Sequence, residues 1–401
     1  MFLDNIDNDN KWQEFLEYKV NGNFTGKKEK ELLTSFINEK KYKKITSAIK
    51  DNKYSFSIPK KSLISKNHNG KKRSVYSFKN DEMIVLKYIA YLLYDYDYLF
   101  ENNLYSFRKN ISVKTAIKNI NNIYNINKMY GYKIDIKNYF NSINAEILLN
   151  NLKSDIDTNL FDIIKDILNN KKAIYNNKII IEEKGVMAGI PISSFLANYY
   201  IREIDYYFKN KKVLYLRYAD DIVIFCNNEN EIKKYVNILK TLLKKYQLEI
   251  NDEKELFLKP NDVWEFLGFS FHNKKIDLSK NTIYKMKKKI RRSSRSIRRW
   301  MLKKGVLEDI GLKVMIRKYN KKFFGNKNDE LSWKYWFFSS INTSKSLKII
   351  DNYLQDNLRY IVTGKHNKKN YKLVPYERLK MNGYKSLVNE YYSFINLKSD
   401  M

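Results

Sequence analysis

The sequence predicts an α+β chain: a helical N-terminal stretch, a mixed core of short strands and helices, and a helical, strongly basic C-terminal third. Three observations carry this prediction. Apolar residues recur three and four apart in "DEMIVLKYIAYLLYDYDYLF" (81–100), "SSFLANYYIREIDYYF" (193–208) and "EIKKYVNILKTLLKKY" (231–246), which is the period of a helix. "VLYLRYA" (213–219) and "DIVIF" (221–225) are short apolar runs that meet at an aspartate pair, the pattern of a β-hairpin. Residues 280–304 hold twelve Lys and Arg and no acid, with Ile283, Met286, Ile290, Ile297 and Met301 returning on one helical face.

In chain order, residues 1–55 read as short charged helices and 56–130 as short strands around the helix that begins near 81. Residues 131–272 form the strand-rich core. It opens with "YGYKIDIKNYF" (130–140), a strand ending in a turn, and closes with the strand-like "WEFLGFSF" (264–271). Residues 273–401 are helical, and no repeat or low-complexity linker separates these regions. Only twelve Gly and four Pro leave little room for a loop-rich architecture.

The excess of Lys and Arg over Asp and Glu, 76 against 44, gives a formal charge of +32. An anionic polymer is the economical partner for such a chain, although codon bias toward Lys explains part of the excess. One cysteine, Cys226, excludes an internal disulfide and a multi-cysteine zinc site, and His68, His272 and His366 lie too far apart for a local metal motif. The acidic N-terminus lacks a signal-peptide pattern, and no apolar run approaches a membrane span. The expectation is a soluble, cytoplasmic protein without a membrane partner.

Against that charge, Asp220 and Asp221 stand side by side between two apolar strands. A solvated surface turn is the ordinary explanation of two adjacent aspartates. Flanking strands this apolar instead suit a hairpin packed into a core, where the carboxylates need cations. Lys or Arg would serve, but adjacent acids suit Mg²⁺, which takes a few carboxylates and keeps its other positions for water and phosphate. Asp135, at the end of the strand "YKID", is a third acid that fits a two-metal site.

"YADD" (218–221) between apolar strands resembles the catalytic box of reverse transcriptases. "DIKNYFNSI" (135–143) is similar to the first catalytic-aspartate motif of the group II intron and bacterial branch of that family. "AGIPISSFLAN" (188–198) resembles its Gln-Gly…Ser-Pro…Leu-Ala-Asn motif. "NGKKRSVYSF" (69–78) looks like the basic fingers motif and "NLYSFRKNIS" (103–112) like the Phe-Arg motif before the palm. "LEINDEKELFL" (248–258) looks like the small motif after the catalytic hairpin, and "EFLGFSF" (265–271) like the primer grip. The chain departs from the family at Ala188, where it has glutamine, and at Ser194, where it has proline.

The resemblance implies a right-hand polymerase: an N-terminal extension (1–55), fingers (56–130), palm with primer grip (131–272), and a basic helical thumb with a C-terminal helical region (273–401). It implies an RNA-directed DNA polymerase that adds dNTPs to a 3′ end with two Mg²⁺ ions, Mn²⁺ being the substitute. Asp135, Asp220 and Asp221 would be the catalytic metal ligands. Lys72, Arg73, Phe140, Gly189 and Lys254 would contact the nucleotide, with the Phe140 ring favouring deoxynucleotides. Arg108, Gly268, Lys287, Lys288, Arg291, Arg292, Arg295, Arg298 and Arg299 would contact nucleic acid, the last seven as a thumb that tracks phosphates.

Relatives of this kind that are not intron-encoded often serve antiphage defence with a dedicated noncoding RNA as template. A partner protein or a second copy of the chain is a further expected partner. Two alternatives remain beside this expectation. One is non-templated or short-repeat DNA synthesis on the same fold, which the missing glutamine keeps open. The other is an RNA-binding scaffold or splicing helper with little polymerase activity, which the basic C-terminal third would suit.

Overall fold

The computed structural model describes residues 2–22, 25–65, 72–325 and 332–399, and the chain divides into two compact units. The first comprises residues 1–116 and 124–260, the second 117–123 and 261–401. The hairpin expected to close the palm therefore belongs to the second unit, since the division falls at Pro260. Residues 69–71 of the basic fingers motif, and His68, lie outside the described residues.

The first unit contains two four-stranded sheets. One has the order β2-β1-β4-β5, from β1 (Lys60–Ser65), β2 (Lys72–Ser77), β4 (Lys172–Tyr175) and β5 (Lys178–Ile181). The other has the order β6-β7-β3-β8, from β3 (Tyr130–Asp135), β6 (Leu214–Tyr218), β7 (Asp221–Cys226) and β8 (Leu256–Leu258), and every pairing in it is antiparallel. β7 is central: Ile222, Val223, Ile224, Phe225 and Cys226 are all buried, so both faces of the strand are covered. This is why "DIVIF" reads as a continuous apolar run rather than an alternating one. The helices Arg202–Asn210 and Glu229–Lys245 pack against this sheet.

The 193–208 stretch forms two helices rather than one. Ser193–Tyr200 ends at Ile201, whose φ of −116° and ψ of 23° break the ladder before Arg202–Asn210 begins. The β4–β5 hairpin was not expected from the sequence, although its Asn176–Asn177 turn, both residues at positive φ, is a two-residue hairpin signal. The N-terminal helices join the same core. Trp12 is fully buried and stacks on Tyr42 and Tyr88 with centroids 4.3 and 3.9 Å away, while its indole N–H donates to the Ile6 carbonyl at 2.9 Å. Aromatic stacking with a satisfied N–H makes Trp12 the anchor of residues 2–22.

The second unit begins with an antiparallel three-stranded sheet, β9 (Trp264–Phe266), β10 (Phe269–His272) and β11 (Lys275–Leu278). Both of its turns are two residues long with positive φ: Leu267–Gly268 and Asn273–Lys274. Ser279 then caps the helix Lys280–Lys304, accepting from the Thr282 amide at 3.1 Å, and Gly305 ends it at a φ of +62°. Met286, Ile290, Ile297 and Met301 are buried as their spacing requires. The helices Glu308–Phe324 and Lys345–Thr363 pack against this one. Among the described residues no helix is long and apolar enough to cross a membrane.

Candidate active site

Register brings the three acids together. β3 and β7 pair so that Asp135 lies directly opposite Asp221, and Asp220 occupies the turn that β6 and β7 share. The Ile136 amide donates to the Asp220 carbonyl at 3.0 Å, which ties the strand end to the turn. Ala219, at a φ of +55°, supplies the backbone reversal, an uncommon conformation for a residue with a Cβ. Burial first, and then the charges of Asp135 and Asp221, push Asp220 up to about 6, and burial also raises Asp221.

Lys254 supplies the neighbouring cation, its Nζ 2.6 Å from Asp135 Oδ1, while the Asn251 amide donates to the Asp135 carbonyl at 2.8 Å. Lys133 Nζ stands 4.0 Å from Asp221 Oδ1. Among the described residues no group of three His, Cys, Asp or Glu already forms a metal-holding cluster. The donor chemistry nevertheless fits a hard divalent cation. The carboxylates are partly desolvated and mutually repulsive, and the charges of Asp135 and Asp221 outrank the relief from Lys254 at Asp220.

The aromatic wall beside the hairpin includes Phe140. Its ring meets Phe107 edge-on at 6.2 Å, and Phe107 in turn lies 6.2 Å from Tyr218 of the "YADD" stretch. The Phe140 carbonyl accepts from the Val186 amide at 2.9 Å, and a Cβ on Gly185, at a φ of +55°, would collide with that same carbonyl. Gly189, at a φ of +105°, is held equally closely: a Cβ there would stand 2.8 Å from the Tyr76 carbonyl. The Tyr76 amide donates to the Ala188 carbonyl at 2.8 Å. The 188–189 turn is thus pinned to β2, the strand that presents Lys72 and Arg73 on an exposed surface.

The other expected contacts separate into two groups. Arg108 is engaged within the protein. Its side chain is 6% exposed, and Nε and Nη2 hold Asp97 at 2.8 and 2.7 Å while Nη1 donates to the Glu101 carbonyl. A bidentate pair of this kind leaves no free donor face for phosphate. Arg298 is engaged through one nitrogen, its Nη1 donating at 2.6 Å to the carbonyls of Ile361 and Val362 at the end of the helix Lys345–Thr363. By contrast Lys287, Lys288, Arg291, Arg292, Arg295 and Arg299 all face one groove of the second unit. Gly268 takes a φ of +88° in the β9–β10 turn, and its carbonyl accepts from the Ser279 amide at 2.9 Å.

Sequence reasoning missed the polar network beneath the catalytic turn. Arg217 and Asp205 are fully buried and paired, with Nε 2.7 Å from Oδ1 and Nη2 bonded to Oδ2; Tyr215 donates to Asp205 at 2.9 Å. Arg217 Nη2 also reaches the Asn198 carbonyl at 2.9 Å. Ser106 Oγ donates to Asn198 Oδ1 and accepts from the Ala219 amide, both at 2.9 Å. The signal was present: a lone arginine in the apolar strand "LYLRYA" demands a buried acid.

A family model described as reverse transcriptase (RNA-dependent DNA polymerase) matches residues 58–271, which include the acidic hairpin, the strand that faces it and the β9–β10 hairpin. The chain belongs to this reverse transcriptase family and has an α+β polymerase fold; domains of the family bind RNA and work with divalent metals. Solved structures similar to it include apo telomerase from Candida tropicalis, truncated from the C-terminal domain, at 15% identity and a TM-score of 0.44, covering 56% of this chain and 55% of that one. Telomerase from Candida albicans in complex with the TWJ fragment of telomeric RNA matches at 13% identity and a TM-score of 0.44, over 86% of this chain and 66% of that one. The chain thus spans between about half and two thirds of these telomerase chains. No curated protein matches it in sequence.

Proposed function

We infer that this chain extends a DNA 3′ end on an RNA template, with Asp135, Asp220 and Asp221 as ligands of two Mg²⁺ ions. The observation that carries the assignment is the register of β3 on β7, which sets Asp135 opposite Asp221 with Asp220 in the adjoining turn. The chemistry supplied by the bound cations is activation of the primer hydroxyl and neutralisation of charge on the triphosphate and the departing pyrophosphate. Arg73 and Lys72, exposed on β2, bind the triphosphate through charge-assisted hydrogen bonds. Lys254 neutralises Asp135 before substrate arrives and meets the pyrophosphate afterwards. Gly189 lets the 188–189 backbone lie close to β2, beside the nucleotide.

Phe140 acts as the sugar gate, braced edge-on by Phe107 so that its ring leaves no room for a 2′-hydroxyl. Phe140→Ala is expected to raise incorporation of ribonucleotides relative to deoxynucleotides about tenfold or more, a difference of roughly 1.4 kcal/mol. Single-nucleotide extension with matched dNTP and rNTP pairs measures that ratio.

The template we assign is a dedicated noncoding RNA, and the role antiphage defence in a bacterium. The likeness of residues 135–143, 188–198 and 218–221 to the bacterial, group II intron-like branch supports both assignments. The test is primer extension by the purified chain with its copurifying RNA, Mg²⁺ and labelled dNTPs, beside Asp220→Ala/Asp221→Ala, followed by sequencing of the product. Metal-dependent synthesis absent from the variant, with a product complementary to the RNA, supports the assignment. A product of one nucleotide unrelated to the RNA overturns templated copying. Equal protection of cells from phage by wild type and variant overturns a defence role that works through polymerisation.

A further inference from the structure

The basic helix does more than present charge. Tyr284, Lys287, Lys288, Arg291, Arg295 and Arg299 fall three, four, seven, eleven and fifteen positions along it, one helical face about 22 Å long. Across from them the helix Lys345–Thr363 contributes Tyr353 and Tyr360, two turns apart, and together they enclose a groove of about 740 Å³. Lysine ammonium groups lie over two of the rings: Lys287 is 5.3 Å from the Tyr353 centroid and Lys288 is 5.7 Å from that of Tyr284. A surface that only tracked a duplex by its phosphates would have no use for three aromatic rings among its cations, because paired bases keep their faces inside the stack.

A second observation points the same way. Tyr360 stacks on His366 with centroids 4.6 Å apart and planes 8° from parallel, and His366 helps to line a smaller cavity of about 300 Å³. Arg359 and Asn370 also line this cavity, and each is only 3% exposed. Arg359 Nε donates to the Val374 carbonyl at 3.1 Å and its guanidinium lies 4.2 Å from the Tyr371 ring, yet Nη1 has no partner. Asn370 Nδ2 donates to the Lys365 carbonyl at 2.6 Å, and its Oδ1 has no partner either. One buried donor and one buried acceptor left unpaired are costly, and a base edge offers their complements.

We propose that the second unit holds an unpaired stretch of RNA along this groove, its phosphates on the arginines and lysines and its bases on the tyrosine rings. This deepens the polymerase assignment, on which it rests, by giving the RNA a site for a single-stranded segment in addition to any primer–template duplex. RNA is the strand named because the enzyme is RNA-directed. Tyrosine stacking makes the site tolerant of sequence, and the phosphate contacts make it sensitive to salt.

The experiment measures fluorescence anisotropy of the full chain with a short unstructured RNA, the DNA of the same sequence, and an RNA–DNA hybrid duplex. Tyr353→Leu/Tyr360→Leu, which keeps apolar bulk but removes stacking, is expected to weaken the single-stranded RNA about tenfold or more and the hybrid less than about twofold. Tyr353→Phe/Tyr360→Phe should bind as wild type. Arg291→Gln/Arg295→Gln should weaken both ligands and lower the salt slope by about two. Equal losses on both ligands with the leucine variant, or none, overturn the single-strand site while leaving the phosphate-binding role of the helix intact. If the arginine variant also changes nothing, that role fails with it. Tighter binding of the DNA strand than of the RNA overturns the assignment to RNA. Should the leucine variant melt early, crosslinking of 4-thiouridine RNA to the wild-type chain decides: adducts within residues 353–371 support the site, and adducts confined to residues 1–116 and 124–260 overturn it.

Discussion

Asp220→Asn is expected to lower primer extension by about a thousandfold or more while leaving the melting temperature unchanged or slightly higher. The two effects have one cause. Asp220 is held in a partly desolvated turn, and burial first, then the charges of Asp135 and Asp221, push its carboxyl up to about 6. An ionised group in such a place is unfavourable for the fold, and an amide of the same shape removes the repulsion without opening a cavity. The function assigned to Asp220 needs that same charge, because a neutral amide is a poor ligand for Mg²⁺. Extension rates at saturating dNTP, read beside a thermal melt, check both halves. A variant that loses activity only because it unfolds would refute the argument, and so would one that keeps near wild-type rates.

Much of this site was legible in the sequence because hairpins obey local rules. The Asp220–Asp221 pair stands where two apolar runs meet, and Asp135 ends a third, so strand period alone set all three at strand ends. Their convergence depended on register between strands nearly ninety residues apart in the chain, which strand ends alone suggested weakly and the likeness to known motifs strengthened. Arg108 and Arg298 went the other way. Arg108 was expected at nucleic acid from the likeness of its motif and Arg298 from the basic run around it, but Arg108 pairs with Asp97, and Arg298 Nη1 donates to the carbonyls of Ile361 and Val362. Such capture is a tertiary event, invisible in composition or spacing. The break at Ile201 was equally hidden, since the apolar period runs through it unchanged.

Arg217→Met is expected to destabilise the first unit by about 3–5 kcal/mol, because it leaves the Asp205 carboxylate fully buried without its cation. Arg217→Met/Asp205→Leu should recover most of that loss, since apolar groups of similar volume often replace a buried pair at little net cost. Activity is expected to behave differently. Arg217 also holds the Asn198 carbonyl at 2.9 Å, and Ser106 links Asn198 to the Ala219 amide, so the arginine reaches the turn bearing Asp220 through a chain of hydrogen bonds. An apolar pair restores the packing but not those bonds, and Ala219 sits at a positive φ that its surroundings must enforce. Primer extension by the double variant should therefore stay about tenfold or more below wild type, with the loss in kcat rather than in the KM for dNTP. Urea unfolding and steady-state kinetics on the same preparations separate the two roles. Full recovery of kcat with stability would make Arg217 purely a support of the fold. A stable but slow enzyme makes it the positioning residue of the acidic turn, which explains why a chain whose cations are mostly lysine keeps this arginine, with its acid, in the core.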